Sequence, residues 1–181
     1  DVFLTALDPN AVALVSVVGG QVTGAGRNGA SVLSVPPGAL ASDQTVTVTS
    51  LEGIALAGAL PLGWSPIAAA DVQPAGLSLA GPVSLNLPVA AGLPAGATLV
   101  AVRWDDDAGE WIAVATATAP SAAGLVPMTL ETLGQYAFVL ADAAPLAPTA
   151  PVIGEAIAGV VAPALPTNVT ANVLPAPQIL L

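Results

Sequence analysis

Alternating hydrophobic and polar residues run through much of this chain, and they predict β-strands rather than helices. In the segment TVTVTS, threonines alternate with Val46 and Val48. In PVSLNLPV, Val83, Leu85 and Leu87 fall on one side of the pattern. Because successive side chains of a strand point to opposite faces, each segment predicts a half-buried strand with its aliphatic residues facing the core.

Turn residues separate the predicted strands at short intervals. TLVAVRW and EWIAVATAT flank DDDAG, a length suited to a hairpin with a glycine-dependent bulge, and a last strand, QYAFVLA, ends near Ala141. The pair Asn28-Gly29 tolerates positive φ and predicts a tight hairpin turn between QVTGAG and ASVLSV. The PPG that begins at Pro36 predicts a strand end, because proline lacks the ladder donor and glycine lets the chain reverse.

The overall pattern predicts an all-β protein. Prolines and glycines interrupt most windows long enough for a three-turn helix, so helical periodicity is nearly absent. Short strands with turns between them predict an antiparallel β-sandwich with Pro-rich extended terminal arms. The predicted organisation is an N-terminal strand or arm over 1–18, a β-sandwich over 19–89, an accompanying β segment with a Trp hairpin over 90–142, and an apolar Pro/Ala-rich extended tail over 143–181.

Both ends of the chain are apolar and carry strand patterns. DVFLTAL and AVALVSVV each predict a strand ahead of the glycine pair at Gly19. A Pro-rich linker is ordinarily polar and solvated, whereas the segment after Asp142 is apolar and therefore needs a surface to cover. Within it, NVTANVL places Val169, Ala171 and Val173 on one side, which is a strand pattern.

Two interpretations of the arms stay open. Either both arms fold back on their own sandwich, or one arm adds a strand to an exposed sheet edge of a neighbouring copy. Repeated head to tail, such an exchange does not close, and it builds a fibre. The residues predicted to make the assembly contacts are Val2, Leu4, Val169, Ala171 and Val173.

Charge and composition exclude several classes of partner. The 181 residues contain 2 basic side chains, Arg27 and Arg103, against 12 carboxylates, for a net charge of −10. Nucleic-acid binding needs basic residues to neutralise phosphates, so nucleic acid is excluded as a partner, and the same charge argues against anionic lipid surfaces. No apolar run approaches the roughly 18 residues of a membrane span. The bias toward Ala, Gly, Pro and Val indicates a prokaryotic source.

Residues for catalysis are scarce. The chain has no histidine, cysteine or lysine, which removes the usual general base, thiol nucleophile and Schiff-base amine. The remaining acids, among them Glu52, Asp71, Glu131 and Glu155, are isolated in sequence, and nothing indicates a converging pair. We therefore expect no enzymatic activity and no cofactor.

The segment WDDDAGEW is the densest cluster of charge. Asp105, Asp107 and Glu110 form a weak candidate calcium site, since calcium takes several carboxylate oxygens on a turn. The rest of a calcium loop is missing, which favours a solvated hairpin tip. Trp104 and Trp111 bracket this tip and could stack on a sugar ring, but their placement favours a cross-strand or core pair.

Two motifs resemble the ZU-five domain of ankyrins, netrin receptors and a tight-junction scaffold. A glycine pair, a hairpin and SVPPGAL are followed by DQTVTVT and, after a loop, by DVQPAGLSLAGPVSLNLP. The resemblance covers roughly residues 19–89. The matching positions are Gly19, Gly20, Pro36, Pro37, Gly38, Ala39, Leu40, Pro74, Gly76, Leu77, Pro82, Val83, Leu85, Leu87 and Pro88.

The resemblance implies a β-sandwich module that makes protein contacts rather than a catalyst. The following RWDDDAGEWIAV and TLGQYAFVL are similar to the β segment that accompanies such domains in secreted bacterial proteins. Some relatives cleave themselves at a His-x-Ser site, where this chain has Leu133, Gly134 and Gln135. Because the chain has no histidine, we expect no self-cleavage by that chemistry.

Together these observations predict a structural subunit of an extracellular or cell-surface assembly, a fibre formed by strand exchange among copies of itself. The alternative is a monomeric adhesion or ligand-binding module of a larger surface protein, with calcium or a glycan at WDDDAGEW. The chain begins at Asp1 rather than at methionine, so either a targeting segment has been removed or the sequence is an excised domain, and both interpretations stay open.

Overall fold

The computed structural model describes residues 8–52, 55–94 and 96–141. These residues form strands and turns without an α-helix, and within these ranges no helix has the length and hydropathy to cross a membrane. The strands are β1 (Val12–Leu14), β2 (Gly20–Gly24), β3 (Ser31–Val35), β4 (Gln44–Leu51), β5 (Trp64–Gln73), β6 (Ser78–Val89), β7 (Thr98–Asp105), β8 (Glu110–Thr118), β9 (Gly124–Thr132) and β10 (Gln135–Ala141).

The strands form two antiparallel sheets, which confirms the predicted all-β sandwich. One sheet has six strands in the order β1-β4-β5-β10-β7-β8, and the other has four in the order β2-β3-β6-β9. Strands from 19–89 and strands from 90–142 occur together in both sheets: β10 lies between β5 and β7, and β9 pairs with β6. The two stretches of sequence therefore share one core.

The core between the sheets is built by the alternating residues. Val46, Val48, Val83, Leu85 and Leu87 are all fully buried, as their alternation predicts. They pack with the inward residues of the other strands, since each strand of a sandwich contributes every second side chain to the core. The polar residues between them, Thr47, Ser84 and Asn86, are only partly buried, so the sequence pattern agrees with the alternation of faces along each strand.

A second, smaller core covers the outer face of the six-stranded sheet. It contains Val100, Val102, Ala137 and Val139 together with Trp111, and the segment 55–63 crosses over it. These strands are apolar at consecutive positions because both of their faces are covered. The six-stranded sheet is thus a wall shared by two apolar clusters.

The structure corrects two details of the N-terminal region. The β2–β3 hairpin forms, but its turn is centred on Arg27 and Asn28, with the Gly29 N–H donating to the Gly26 carbonyl at 3.2 Å. Asn28 does not take a positive φ, so the predicted Asn-Gly turn is wrong. The predicted strand AVALVSVV is also too long, because β1 ends at Leu14 and the chain turns back at once to begin β2.

Of the three strands that contain prolines, β6 is predicted by the sequence, whereas β5 and β9 are not. Pro66 lies in β5 where the register with β10 shifts between Phe138 and Val139, so the ladder tolerates a missing donor there. Pro127 lies in β9, an edge strand that pairs with β6 alone. Proline lowers the strand signal of a sequence, and edges and bulges are the two places where a sheet accepts it.

Candidate functional site

The β8 edge is one of the four sheet edges in the described part of the chain. β8 pairs with β7 on one side, and no described strand lies on the other. After Glu110 the strand has no charged residue, and the side chains from Ala113 to Thr116 are all exposed. An uncharged edge strand of this length offers unpaired N–H and C=O groups as a template for another strand.

The other three edges of the sandwich are covered or interrupted. β1 is only 3 residues long. At the end of β2, the Gly24 carbonyl accepts the Ser50 hydroxyl at 3.0 Å, and the Ala25 N–H donates to the Asp8 carboxylate at 3.4 Å. In β9, Pro127 removes a donor and Glu131 adds a charge. Short strands, prolines, charges and β-bulges are the usual protection of sheet edges, and after its first residue β8 has a bulge but no proline or charge.

A β-bulge divides β8 into two parts. The register with β7 shifts between Ala101 and Val102, so that Ala113 and Ala115 lie opposite consecutive residues and Val114 is the extra one. The Val114 side chain is left 45% exposed. Beyond the bulge, pairing is regular as far as Thr118, so the straight and open stretch of the edge begins at Ala115.

A groove of about 560 Å³ separates β8 from β9. Residues 119–123 join these strands, which belong to different sheets, so the groove lies between two consecutive strands. Its floor includes the buried side chains of Met128 and Tyr136, and its walls include Val114 and Thr129. At the end of β2 the two sheets touch, because a β-carbon on Gly24 would clash with the Val48 carbonyl. A cavity of about 570 Å³ lies next to this contact, between the β2–β3 turn and strands β4 and β5, so the sandwich is open at more than one place.

Tyr136 fixes one end of the groove floor. Its hydroxyl donates to the Thr132 carbonyl at 2.7 Å, which ties the start of β10 to the end of β9. Burial raises the pKa of this phenol above its ordinary value, since the ionised form would lose its hydration. Arg103 and Glu131 line the same groove and are its two charged groups among the described residues.

The structure uses the candidate calcium residue Asp105 within its own hairpin. One oxygen of its carboxylate accepts the N–H groups of Asp107 and Ala108 at 3.0 and 3.1 Å, and the other accepts the Arg103 guanidinium at 3.4 Å. Glu110 pairs with Asp105 across the strands, and its side chain is exposed. Within the described ranges, no three acidic, histidine or cysteine side chains are placed to hold a metal ion.

The hydrogen bonds of the Asp105 carboxylate in the β7–β8 turn should stabilise the fold less at acidic pH. The hydrogen bond from the Ala108 N–H holds the pKa of Asp105 below its ordinary value, so this contribution is present above the unfolded-state pKa and is lost as pH falls through the folded-state pKa. We expect Asp105→Asn to lower Tm by a constant amount above about pH 5 and by less below about pH 4. Thermal unfolding across this range, with exposed Asp107→Asn as the matched control, measures the difference. A pH-independent effect at Asp105 would contradict this assignment.

Trp104 and Trp111 form the predicted cross-strand pair. They lie opposite each other in the β7–β8 register, with ring centroids 5.5 Å apart in a T-shaped arrangement. Trp111 is buried, and its Nε1 donates to the Gly58 carbonyl at 3.1 Å. A ring that is buried and hydrogen-bonded in this way cannot stack on a sugar, so the pair serves packing.

The predicted assembly residues lie outside the described residues. These residues are Val2, Leu4, Val169, Ala171 and Val173, and the segment NVTANVL also lies outside the described residues. The edge that could receive such a strand was not predicted, although β8 itself was. The available signal was the absence of charge in EWIAVATAT after its first residue, because a sheet edge normally carries charge or proline.

The chain matches no protein-family model, and no curated protein is significantly similar to it. The resemblance of residues 19–89 to the ZU-five domain therefore stays a prediction.

Proposed function

We propose that this protein is a structural subunit of an extracellular or cell-surface assembly, a fibre in which copies are joined by strand exchange. The observation that supports the proposal is the β8 edge, which is long, uncharged after Glu110, and open beside the β8–β9 groove. An added strand there would gain main-chain hydrogen bonds from β8 and bury apolar side chains against the groove.

The distribution of charge favours association at this edge. At a net charge of −10, copies of the chain repel one another over most approaches. From Trp111 to Leu130 the sequence has no charged residue, so β8, the connection to β9 and most of β9 present a neutral surface. Docking at this surface avoids the cost of placing like charges opposite each other.

The composition suits a durable extracellular polymer. The chain has no cysteine to oxidise, 1 methionine, and no histidine whose charge would change near neutral pH. The described body needs neither a disulfide nor a paired thiol for its core. We infer a location outside the cell on these grounds.

Electron microscopy of the full chain beside a chain that ends at Pro145 tests the proposal. We expect filaments from the full chain and single particles from the truncated one, which keeps the compact unit Asp1–Pro145. All 3 tryptophans, Trp64, Trp104 and Trp111, lie in that unit, so the near-ultraviolet circular dichroism of both chains should agree.

A charge on the edge provides the matched test within the full chain. Thr116→Lys places a cation on β8 and should abolish filaments, whereas Thr23→Lys, on exposed β2, should leave them intact. Monomers from the unmodified full chain at high concentration would overturn the proposal and favour a monomeric adhesion module.

A further inference from the structure

We propose that the β8–β9 groove receives the segment Asn168–Leu174 of a second copy, added as a strand along β8. This inference rests on the proposed function and identifies the donor and the acceptor of the exchange. In the arrangement we infer, Val169, Ala171 and Val173 point into the groove, and the polar residues between them face outward.

The acceptor stretch is the straight part of β8 that follows the bulge. Ala115 and Ala117 pair with Ala101 and Leu99, two residues of the core between the sheets, so they lie on the groove side of the sheet. Their small side chains leave room beside them for β-branched residues on an added strand. Val114, the extra residue of the bulge, contributes an exposed apolar wall.

The groove floor also suits small apolar side chains. Met128 and Tyr136 are buried at 5% and 2% exposure, and the Tyr136 hydroxyl already has its partner in the Thr132 carbonyl. In the described residues, no buried side-chain nitrogen or oxygen lacks a hydrogen bond, so the floor presents no unsatisfied polar atom to an incoming valine.

The sequence of the donor matches these requirements. The segment alternates three small apolar residues with Asn168, Thr170 and Asn172, and no charged residue occurs after Glu155. Pro166 and Pro175 flank it and limit the strand to the residues between them, since proline ends strand pairing. The residues between the two prolines are therefore sufficient to span the acceptor stretch from Ala115 to Thr118.

The position at which β10 ends would allow the donor strand to come from the same chain or from a neighbouring copy. Leu140 pairs with Leu99, which pairs with Ala117, so the chain leaves β10 at the same end of the sheet as the end of β8. Residues 142–167 can extend by about 3.3 Å each, far more than the roughly 14 Å across the three strand spacings from β10 to a strand added outside β8. The connecting segment is therefore long enough for the donor strand to bind the same copy or a second copy. We assign it to a second copy because only that arrangement builds a fibre.

Single cysteines test the pairing directly, because the natural chain has no cysteine and every disulfide is engineered. Copies with Thr116→Cys are mixed with copies with Thr170→Cys and oxidised during assembly. Thr116 pairs with Val100 of the outer cluster, so it lies on the face where the polar side of the donor is placed. Thr23→Cys on β2 replaces Thr116→Cys as the matched acceptor control.

We expect the mixed disulfide dimer to be at least ten times more abundant with Thr116→Cys than with Thr23→Cys. Asn168→Cys and Asn172→Cys, on the same side of the donor, cover a shift of register by two residues in either direction. Filaments that form without a mixed disulfide at Thr116 would overturn the assignment of the groove and leave the proposed function standing. A chain that carries both Thr116→Cys and Thr170→Cys tests the opposite outcome: a disulfide that forms only within one such chain at high dilution, with no filaments, would overturn both proposals.

Discussion

Replacing Gly19 with alanine should destabilise the protein by roughly 2–5 kcal/mol, among the largest effects expected of any single methyl group in this chain. Gly19 has φ +70°, a conformation that costs other residues about 1–2 kcal/mol. A β-carbon there would also clash with the Val35 carbonyl and lie 2.8 Å from the Pro36 carbonyl carbon. Both contacts are with backbone, which cannot rotate away as a side chain can, so the β2–β3 pairing or the following turn must shift.

Gly38→Ala is the matched control for this prediction. Gly38 has a similar φ of +77°, but nothing lies within 4 Å of the position that a β-carbon would take. Gly38→Ala should lower the free energy of unfolding only by the cost of a positive φ in a residue with a β-carbon, about 1–2 kcal/mol. Thermal and urea unfolding, followed by circular dichroism, would compare the two variants. Equal losses at the two positions would show that the close approach at Gly19 contributes nothing.

Trp111→Ala should cost about 3–5 kcal/mol, the usual range for removing a buried tryptophan. The substitution leaves a cavity in the smaller apolar core on the outer face of the six-stranded sheet. It also removes the T-shaped contact with Trp104 and leaves the Gly58 carbonyl without its indole donor. A loss of this size corresponds to a decrease in Tm of roughly 10 °C for a domain of this length. Urea unfolding measures the change, with Trp64 and Trp104 fluorescence as the signal.

Trp111→Phe separates packing from hydrogen bonding. Phenylalanine keeps an aromatic ring against Trp104 but cannot donate to the Gly58 carbonyl, so we expect a loss of about 1–2 kcal/mol. Because the Trp111 ring faces the outer cluster rather than the groove, neither variant should prevent filament formation while the body stays folded. If alanine cost no more than phenylalanine, the outer cluster would not be a core.

The sequence predicts the inter-sheet core well for a simple reason. β4 and β6 each have one face in the core, so Val46, Val48 and Leu85 alternate with less buried residues and the period of a strand is visible. β7 and β10 have two covered faces, and their apolar residues are consecutive. Consecutive apolar residues in LVAV and AFVL are a signal that something covers the outer face, but they do not indicate which segment does so.

The covering segment and the open edge depend on contacts distant in sequence. The loop 55–63 reaches the outer face through the bond between Trp111 and Gly58 and through the Ala57 N–H, which donates to Gln135. No local pattern encodes either contact. Likewise, β8 is recognisable as a strand from EWIAVATAT, yet it is an edge only because β10 rather than β8 occupies the position between β5 and β7.

Some of the positions that carry the ZU-five resemblance lie where two backbone segments meet. The glycine pair and the PPGAL segment touch at Gly19, and Ala39 accepts the Ala80 N–H at 2.8 Å, which joins the first motif to the second. A β-carbon on Gly81 would lie 3.5 Å from the Ala39 Cα. At these positions two backbone segments approach each other closely, whereas Val83, Leu85 and Leu87 belong to the core between the sheets.

The position of β10 has a consequence for how the protein is made. It is the last described strand to leave the ribosome, yet it lies between β5 and β7 in the six-stranded sheet. Until it arrives, β1, β4 and β5 on one side and β7 and β8 on the other have no strand to join them. The two halves must therefore wait for the end of the body, and long-range pairing of this kind is slow. Folding and emergence of the tail become nearly simultaneous, so a newly completed β8 edge and a newly available tail appear together.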